Sequence, residues 1–175
     1  MEFEHKFCSL SADVKVSDDL SIEGYASRFD APDQGGDVVA PGAYRVSLAE
    51  NRGVKMLWQH DPSQPIGVWE DLREDTQGLW VKGRLLEGVA RAREAAALLR
   101  AGAIDGLSIG YRTRRATKNE GGGRTLMELE LWEVSLVTFP MLPSARVAAK
   151  GDSLEPALRE LAAVFDDARL EMTGR

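Results

Sequence analysis

Gly106-Leu107-Ser108-Ile109-Gly110 is the stretch on which the reading of this chain turns. It spells G-x-S-x-G. In an α/β-hydrolase that pattern places the serine on a sharp turn from strand into helix, and the histidine of the triad comes last in sequence. Here the surroundings run the other way. Residues 88–101 are helical in pattern, whereas residues 107–114 alternate like a strand. The chain has only two histidines, His5 and His60, and both precede the serine. A nucleophilic Ser108 therefore takes His60 as its base, in the order His before Ser. Triads are defined by roles and geometry, so this order points to a fold other than the hydrolase one.

Outward from the motif, residues 107–117 and 124–139 predict two strands joined by a Gly-rich hairpin loop at 118–123. Residues 89–100 predict a helix with Val89, Ala92, Ala96 and Leu99 on one face and Gly102 as its stop. Upstream, residues 66–75 and 78–85 read as a hairpin, and 54–60 as a strand stopped by Asp61-Pro62. Pro41-Gly42 opens a short helix over 43–50, after a turn-rich loop at 30–37. Residues 2–11 and 20–29 predict two more strands. Beyond Pro140 the composition changes: Asp152-Ser153-Leu154-Glu155 reads as a capping box, followed by Leu154, Leu158, Leu161 and Phe165 on a narrow seam. The expectation is a β-rich α+β fold. A barrel is favoured because so many amphipathic strands would otherwise leave bare edges. The domain spans residues 1–148, and a helical tail, 149–175, packs on its own domain or docks another protein.

A chain of 175 residues suffices for one domain with a real core. Net charge −6 and pI ≈ 5.1 argue against a nucleic-acid partner, which needs a basic stripe for the phosphates. The single Cys8 forms no internal disulfide and suits a reducing compartment; without a Cys or His cluster, neither metal nor cofactor is expected. No stretch reaches the apolar length of a membrane span, and the polar N-terminus carries no secretory signal.

Strand alternation puts Val54, Met56, Trp58 and His60 on one face, so His60 ends an apolar row at a strand mouth, a fit place for a general base. His5, near the terminus among charged residues, reads as structural. Ser108 shares a face with Gly110, and two small residues side by side allow an extended peptide close approach. Gly102 and Gly106 allow backbone N–H groups to be aimed at an oxyanion. For the third member, alternation places Met127, Leu129, Leu131, Glu133, Ser135 and Val137 on one face of the last strand. The opposite face is apolar at Trp132, Val134 and Leu136, so Glu133 is expected in a sheet covered on both sides. A buried carboxylate needs a cation, and an imidazolium is one; an arginine is the structural alternative. Asp61 and Asp105 are reserves that read better as turn residues.

Residues 23–30 (Glu23 to Asp30), 36–44 (Gly36 to Tyr44), Leu57-Trp58-Gln59-His60-Asp61 with Pro65-Ile66-Gly67, 106–111, and 133–140 (Glu133 to Pro140) carry a resemblance in their order. The chain resembles the prohead serine proteases of tailed phages, a family similar to herpesvirus assemblin. That resemblance implies an assemblin-like closed or nearly closed β-barrel flanked by helices, with His60 as base and Ser108 as nucleophile. Assemblin uses a second histidine as third member; here Glu133 stands in that place. Arg146 is the nearest residue to the family's oxyanion arginine, though its spacing fits poorly. The resemblance further implies action inside the assembling procapsid, in the host cytoplasm, on scaffold or on the N-terminal arm of the major capsid protein. The particle is an infectious phage or a gene-transfer agent. Self-cleavage and homo-oligomer formation remain open. The rival expectation is a non-enzymatic barrel that binds scaffold; the distance from Ser108 to His60 separates the two.

Overall fold

The computed structural model describes residues 4–7, 15–16 and 20–138, apart from 34, 51 and 121. Cys8, Arg146 and the expected tail at 149–175 lie outside the described residues. The elements in chain order are strands β1 (Glu4–Phe7), β2 (Lys15–Val16), β3 (Ser21–Arg28) and β4 (Val38–Val39), then helix α1 (Arg45–Ala49). Strands β5 (Lys55–Trp58), β6 (Asp61–Glu74) and β7 (Gly78–Leu85) follow, then helix α2 (Ala90–Arg100) and strands β8 (Gly106–Lys118) and β9 (Arg124–Val137).

The strands join one sheet in the order β1-β8-β9-β5-β6-β7-β3-β2, with β4 also on β9. Chain neighbours β5–β6, β6–β7 and β8–β9 pair antiparallel through short loops, whereas β9 pairs parallel with β4 and β5. β9 is the organising strand. One of its edges carries β8 along almost its whole length. The other carries β4 at Thr125–Leu126, then α1 and the turn before it, then β5 from Glu133 to Leu136. Between the two strands, the β9 amides are met by α1 and its approach: Leu129 N–H donates to the Ala43 carbonyl at 2.9 Å and Leu131 N–H to the Ser47 hydroxyl at 2.9 Å. Backbone donors left unpaired in an interior are costly, which explains a serine on the buried side of a short helix.

Register shifts at Tyr25/Ser27, Trp69/Asp71 and twice between β5 and β6 bend the sheet, because each extra residue kinks its strand and adds twist. The result is a curled half-barrel. Its open side is spanned by β4 and by the isolated bridge between Phe29 and Val39. The concave face holds Ile22, Met56, Val81, Ile109, Val134 and Leu136, each at most 1% exposed. α2 packs Ala92, Ala95, Ala96 and Leu99 into the same core, the face its apolar period predicts apart from Val89, which stands at the N-cap. At the β6–β7 turn, Asp75 accepts the amides of Gln77 and Gly78 and the hydroxyl of Tyr25. Burial pushes its carboxyl up, but those donors outweigh it and hold the group below the ordinary carboxylate value.

Two expectations change here. Asp61-Pro62 does not stop a strand; β6 begins at Asp61. Leu57 pairs with Pro65 and Trp58 with Asp61, so residues 62–64 bulge out of the ladder, and Pro62 sits where no N–H is called for. Strands β2 and β4 fall on stretches where no strand was expected. Each is two residues long, too short to leave an alternating pattern.

Candidate active site

The convex face of the sheet carries the chemistry. Leu107, Ile109 and Tyr111 of β8 are at most 3% exposed and point into the core, so Ser108 and Gly110 face the other way. Across β9, Ser108 lies opposite Ser135 and Gly110 opposite Glu133. Across β5, Glu133 lies beside Lys55 and Ser135 beside Leu57.

Glu133 reaches this face by a device that alternation conceals. Tyr111 pairs with Leu131 and Gly110 with Glu133, so Trp132 is an extra residue, a β-bulge on β9. A bulge resets alternation. Leu131, 2% exposed, therefore turns into the core beside Tyr111, while Glu133, two positions on, turns out beside Gly110. The expected apolar row from Leu131 to Glu133 is thus wrong, although Glu133 and Ser135 do share a face. Trp132 is 41% exposed rather than packed in a covering layer, as befits the bulged residue.

His60 also stands elsewhere than at the end of a strand row. The Trp58–Asp61 pair leaves Gln59 and His60 as a two-residue hairpin loop, with φ of +53° and +61°. Positive φ at both positions is the geometry whose twist matches flanking strands, and glycine or asparagine normally supplies it. For Gln and His it costs about 1–3 kcal/mol each, so surrounding bonds must hold it. They do. Gln59 N–H donates to the Leu136 carbonyl at 2.9 Å, and its side chain donates to Thr138 Oγ1 at 2.5 Å and accepts the Thr138 amide at 3.3 Å. His60 N–H donates to Ser135 Oγ at 3.2 Å.

Held in this way, the ring meets both partners. His60 Nε2 lies 2.7 Å from Ser108 Oγ and His60 Nδ1 lies 2.5 Å from Glu133 Oε1. The other carboxylate oxygen, Oε2, accepts a 2.5 Å bond from the Ser135 hydroxyl. An ionised carboxylate only accepts, so Nδ1 carries the proton and Nε2 is left to accept from the Ser108 hydroxyl. The side chains of His60 and Glu133 are 13% and 9% exposed, and Ser108 has no exposed surface at all. The structure thus brings together all three residues singled out in the sequence.

The reserves lie apart from this arrangement. Asp61 Oδ1 is taken by the amide and hydroxyl of Ser63, at 2.8 and 2.6 Å, and those two donors lower its pKa. Asp105 sits in the segment leading into β8. Glu130, on the same strand, has a carboxylate that takes Arg52 at 2.8 Å and also Arg114. For His5 the backbone alone is described; it pairs with Gly110.

The readings of Gly102 and Gly110 need correction. Gly102 has φ +68° and donates its N–H to Leu99, while Ala103 donates to Leu98, which is the Schellman closure of α2. Its amide is used by the helix rather than held ready for an oxyanion. At Gly110 the missing side chain makes room for a carboxylate rather than for a substrate strand: a Cβ there would stand 2.1 Å from Glu133 Oε1. Gly110→Ala should accordingly fold, at a cost of about 1–3 kcal/mol for overpacking. It should push Glu133 off the ring and lower kcat by about a hundredfold or more with KM little changed. Steady-state kinetics beside a melting curve checks this, and wild-type kcat would contradict it.

The comparisons with known proteins show the family and the fold. The chain is 36% identical over 132 residues to the prohead protease of Enterobacteria phage HK97, covering 73% of this chain and 59% of that protein. It is 30% identical over 146 residues to the capsid polyprotein of Pseudomonas phage PAJU2, covering 78% of this chain and 21% of that one. It therefore spans under two thirds of either relative's length. Among solved structures, the capsid assembly protease of bacteriophage T4 superposes with a TM-score of 0.67 at 17% identity, covering 79% of this chain and 98% of the other, a likeness of fold. The family model of the caudovirus prohead serine proteases matches residues 9–160, and the chain belongs to that family.

Proposed function

We propose that the chain is a serine endopeptidase of capsid maturation, acting inside the procapsid on scaffold or on the N-terminal arm of the major capsid protein. The observation that carries this is the continuous chain of bonds from Ser108 Oγ through both ring nitrogens of His60 to Glu133. In the reaction, His60 Nε2 takes the Ser108 proton as Oγ attacks the scissile carbonyl, then passes it to the leaving amine; Glu133 holds the tautomer and stabilises the imidazolium. Water repeats the sequence on the acyl-enzyme. The chemistry draws on no metal or cofactor. The same short Ser108–His60 contact favours an enzyme over a scaffold-binding barrel. Kinship with assemblin belongs to the proposal and rests on the β-rich sheet and its helices; the sheet is a curled half-barrel rather than the closed or nearly closed barrel that the resemblance implied.

The covering of Ser108 supports low activity outside the particle. A peptide must displace whatever lies over the nucleophile, and β1 runs along the β8 edge with Phe7 opposite Ser108, where an extended substrate would add. Confinement at high local concentration favours that exchange. Co-expression with the major capsid protein, followed by mass spectrometry of that protein's N-terminus, tests the assignment. A shortened N-terminus that requires Ser108 supports it, and an intact one in maturing particles contradicts it.

The proposal extends to residues 149–175 as a segment that docks scaffold or capsid protein, based on the seam of Leu154, Leu158, Leu161 and Phe165. A chain ending at Lys150 should fold, cleave a peptide and fail to enter particles. Loss of the fold on truncation would make the segment part of the domain instead.

A further inference from the structure

We infer that Ser135 is a positioning residue for the proposed triad, tying the backbone of the base to the carboxylate that orients it; this rests on the assignment of Ser108, His60 and Glu133 above. Its hydroxyl has one proton to give and lone pairs to receive, and both capacities are used within the site. The carboxylate can only accept and the amide can only donate, so the directions are fixed. Ser135 Oγ–H donates to Glu133 Oε2 at 2.5 Å, and Ser135 Oγ accepts the His60 N–H at 3.2 Å. One small side chain thus joins a group of the β5–β6 loop to one of β9, and the two must keep their relative position for the chain of bonds to hold.

Both groups need such a tie. His60 has left-handed backbone, φ +61°, in a loop with no glycine, and a free hairpin of this sequence would relax from it. Glu133 follows a bulge, so its side-chain direction is set by local irregularity rather than by a regular ladder. The ring of His60 joins them at one point, through Nδ1 and Oε1; Ser135 joins them at a second, through the main chain and Oε2. Two attachments fix the orientation of a planar carboxylate where one leaves it free to rotate. The hydrogen bond to the ionised group is of the stronger, charge-assisted kind.

Burial argues in the same direction. Ser135 has no exposed surface, and its hydroxyl is committed to two partners within the site, through which it acts. It lies between Val134 and Leu136 on a strand where an apolar side chain would be the cheap choice. Two other buried serines, outside the proposed triad, are used differently. Ser27 is equally buried, yet its Oγ has no hydrogen-bond partner among the described residues, while Ser47 receives one backbone amide. Of these three, Ser135 alone bonds an ionisable group.

The test uses the full chain and a fluorophosphonate probe. Ser108 Oγ attacks phosphorus, fluoride leaves, and the serine proton passes to His60, so the rate of adduct formation, followed by intact mass, reports the site without knowledge of the natural substrate. Ser135→Ala should lower the limiting rate of labelling about 10- to 100-fold, as loss of a charge-assisted bond predicts, with the half-saturating probe concentration within about threefold of wild type. In a Glu133→Gln background the same change should cost less than about threefold, because the group that Ser135 positions is already disabled. A purely structural serine would slow both backgrounds alike, and that result overturns the inference, as does unchanged labelling of Ser135→Ala. Should Ser135→Ala fail to fold, Ser135→Cys is read by the same two criteria, since a thiol keeps the volume but donates weakly. Failure of the wild-type chain to label at Ser108 would instead bring down the triad assignment itself.

Discussion

Ser108→Ala should reduce capsid-arm cleavage to background while leaving the melting temperature within a few degrees of wild type. The substitution removes one oxygen from a fully buried site and leaves the β8–β9 ladder intact. His60→Asn should be nearly as inactive, and the double variant no worse than either alone. Members of a cooperating unit each cost nearly its whole effect, about 10⁶-fold in a serine protease, and the second removal then costs little. Asn also tolerates the left-handed backbone that His60 occupies, so this variant separates lost chemistry from a lost turn. Turnover of co-expressed capsid protein, read by gel or mass spectrometry, checks all three. Wild-type processing by Ser108→Ala would sink the nucleophile assignment.

Glu133→Gln should keep the fold and lower turnover about 10²- to 10⁴-fold, by analogy with the aspartate of other triads. The amide is the same size, but it lacks the charge that stabilises the imidazolium and can present N–H to Nδ1, favouring the wrong tautomer. Asp61→Asn is the matched control. Its carboxylate is occupied by Ser63 at the start of β6, so activity should stay near wild type. If Asp61→Asn or Asp105→Asn is inactive while Glu133→Gln is active, the orienting carboxylate has been misassigned.

Much of this architecture was legible in the sequence because its elements are long or strongly periodic. The hairpins β6–β7 and β8–β9 and the helix α2 were expected where they stand, within a few residues, from alternation and from an apolar helical face. The three site residues were legible by type: one serine in a small-residue strand, one histidine able to serve it, and one carboxylate opposite apolar neighbours. Their geometry was less so. The expectation for His60 assumed unbroken strand alternation, but Gln59-His60 forms a tight loop without the Asn or Gly that would announce it. For Glu133 the same assumption grouped it with Leu131, because nothing in the residues at 131–133 signals that Trp132 is an insertion in the ladder. Bulges and left-handed loops arise from pairing between distant strands, so a local pattern does not carry them. Both irregularities fall at the site, as expected where a sheet must aim side chains at one another rather than merely pack them. The space above Gly110 was visible as a lack of side chain, but only the fold shows that a carboxylate fills it.

The most direct test of the central claim, that Ser108 is a nucleophile activated by His60 and Glu133, is intact-mass analysis of the full chain after treatment with a fluorophosphonate, with and without its capsid protein. The account predicts one adduct, mapped to Ser108, formed faster when capsid protein is present. The adduct should be absent in Ser108→Ala and strongly slowed in His60→Asn and Glu133→Gln. An adduct on a different serine, or labelling of Ser108 at an unchanged rate in His60→Asn, would contradict it.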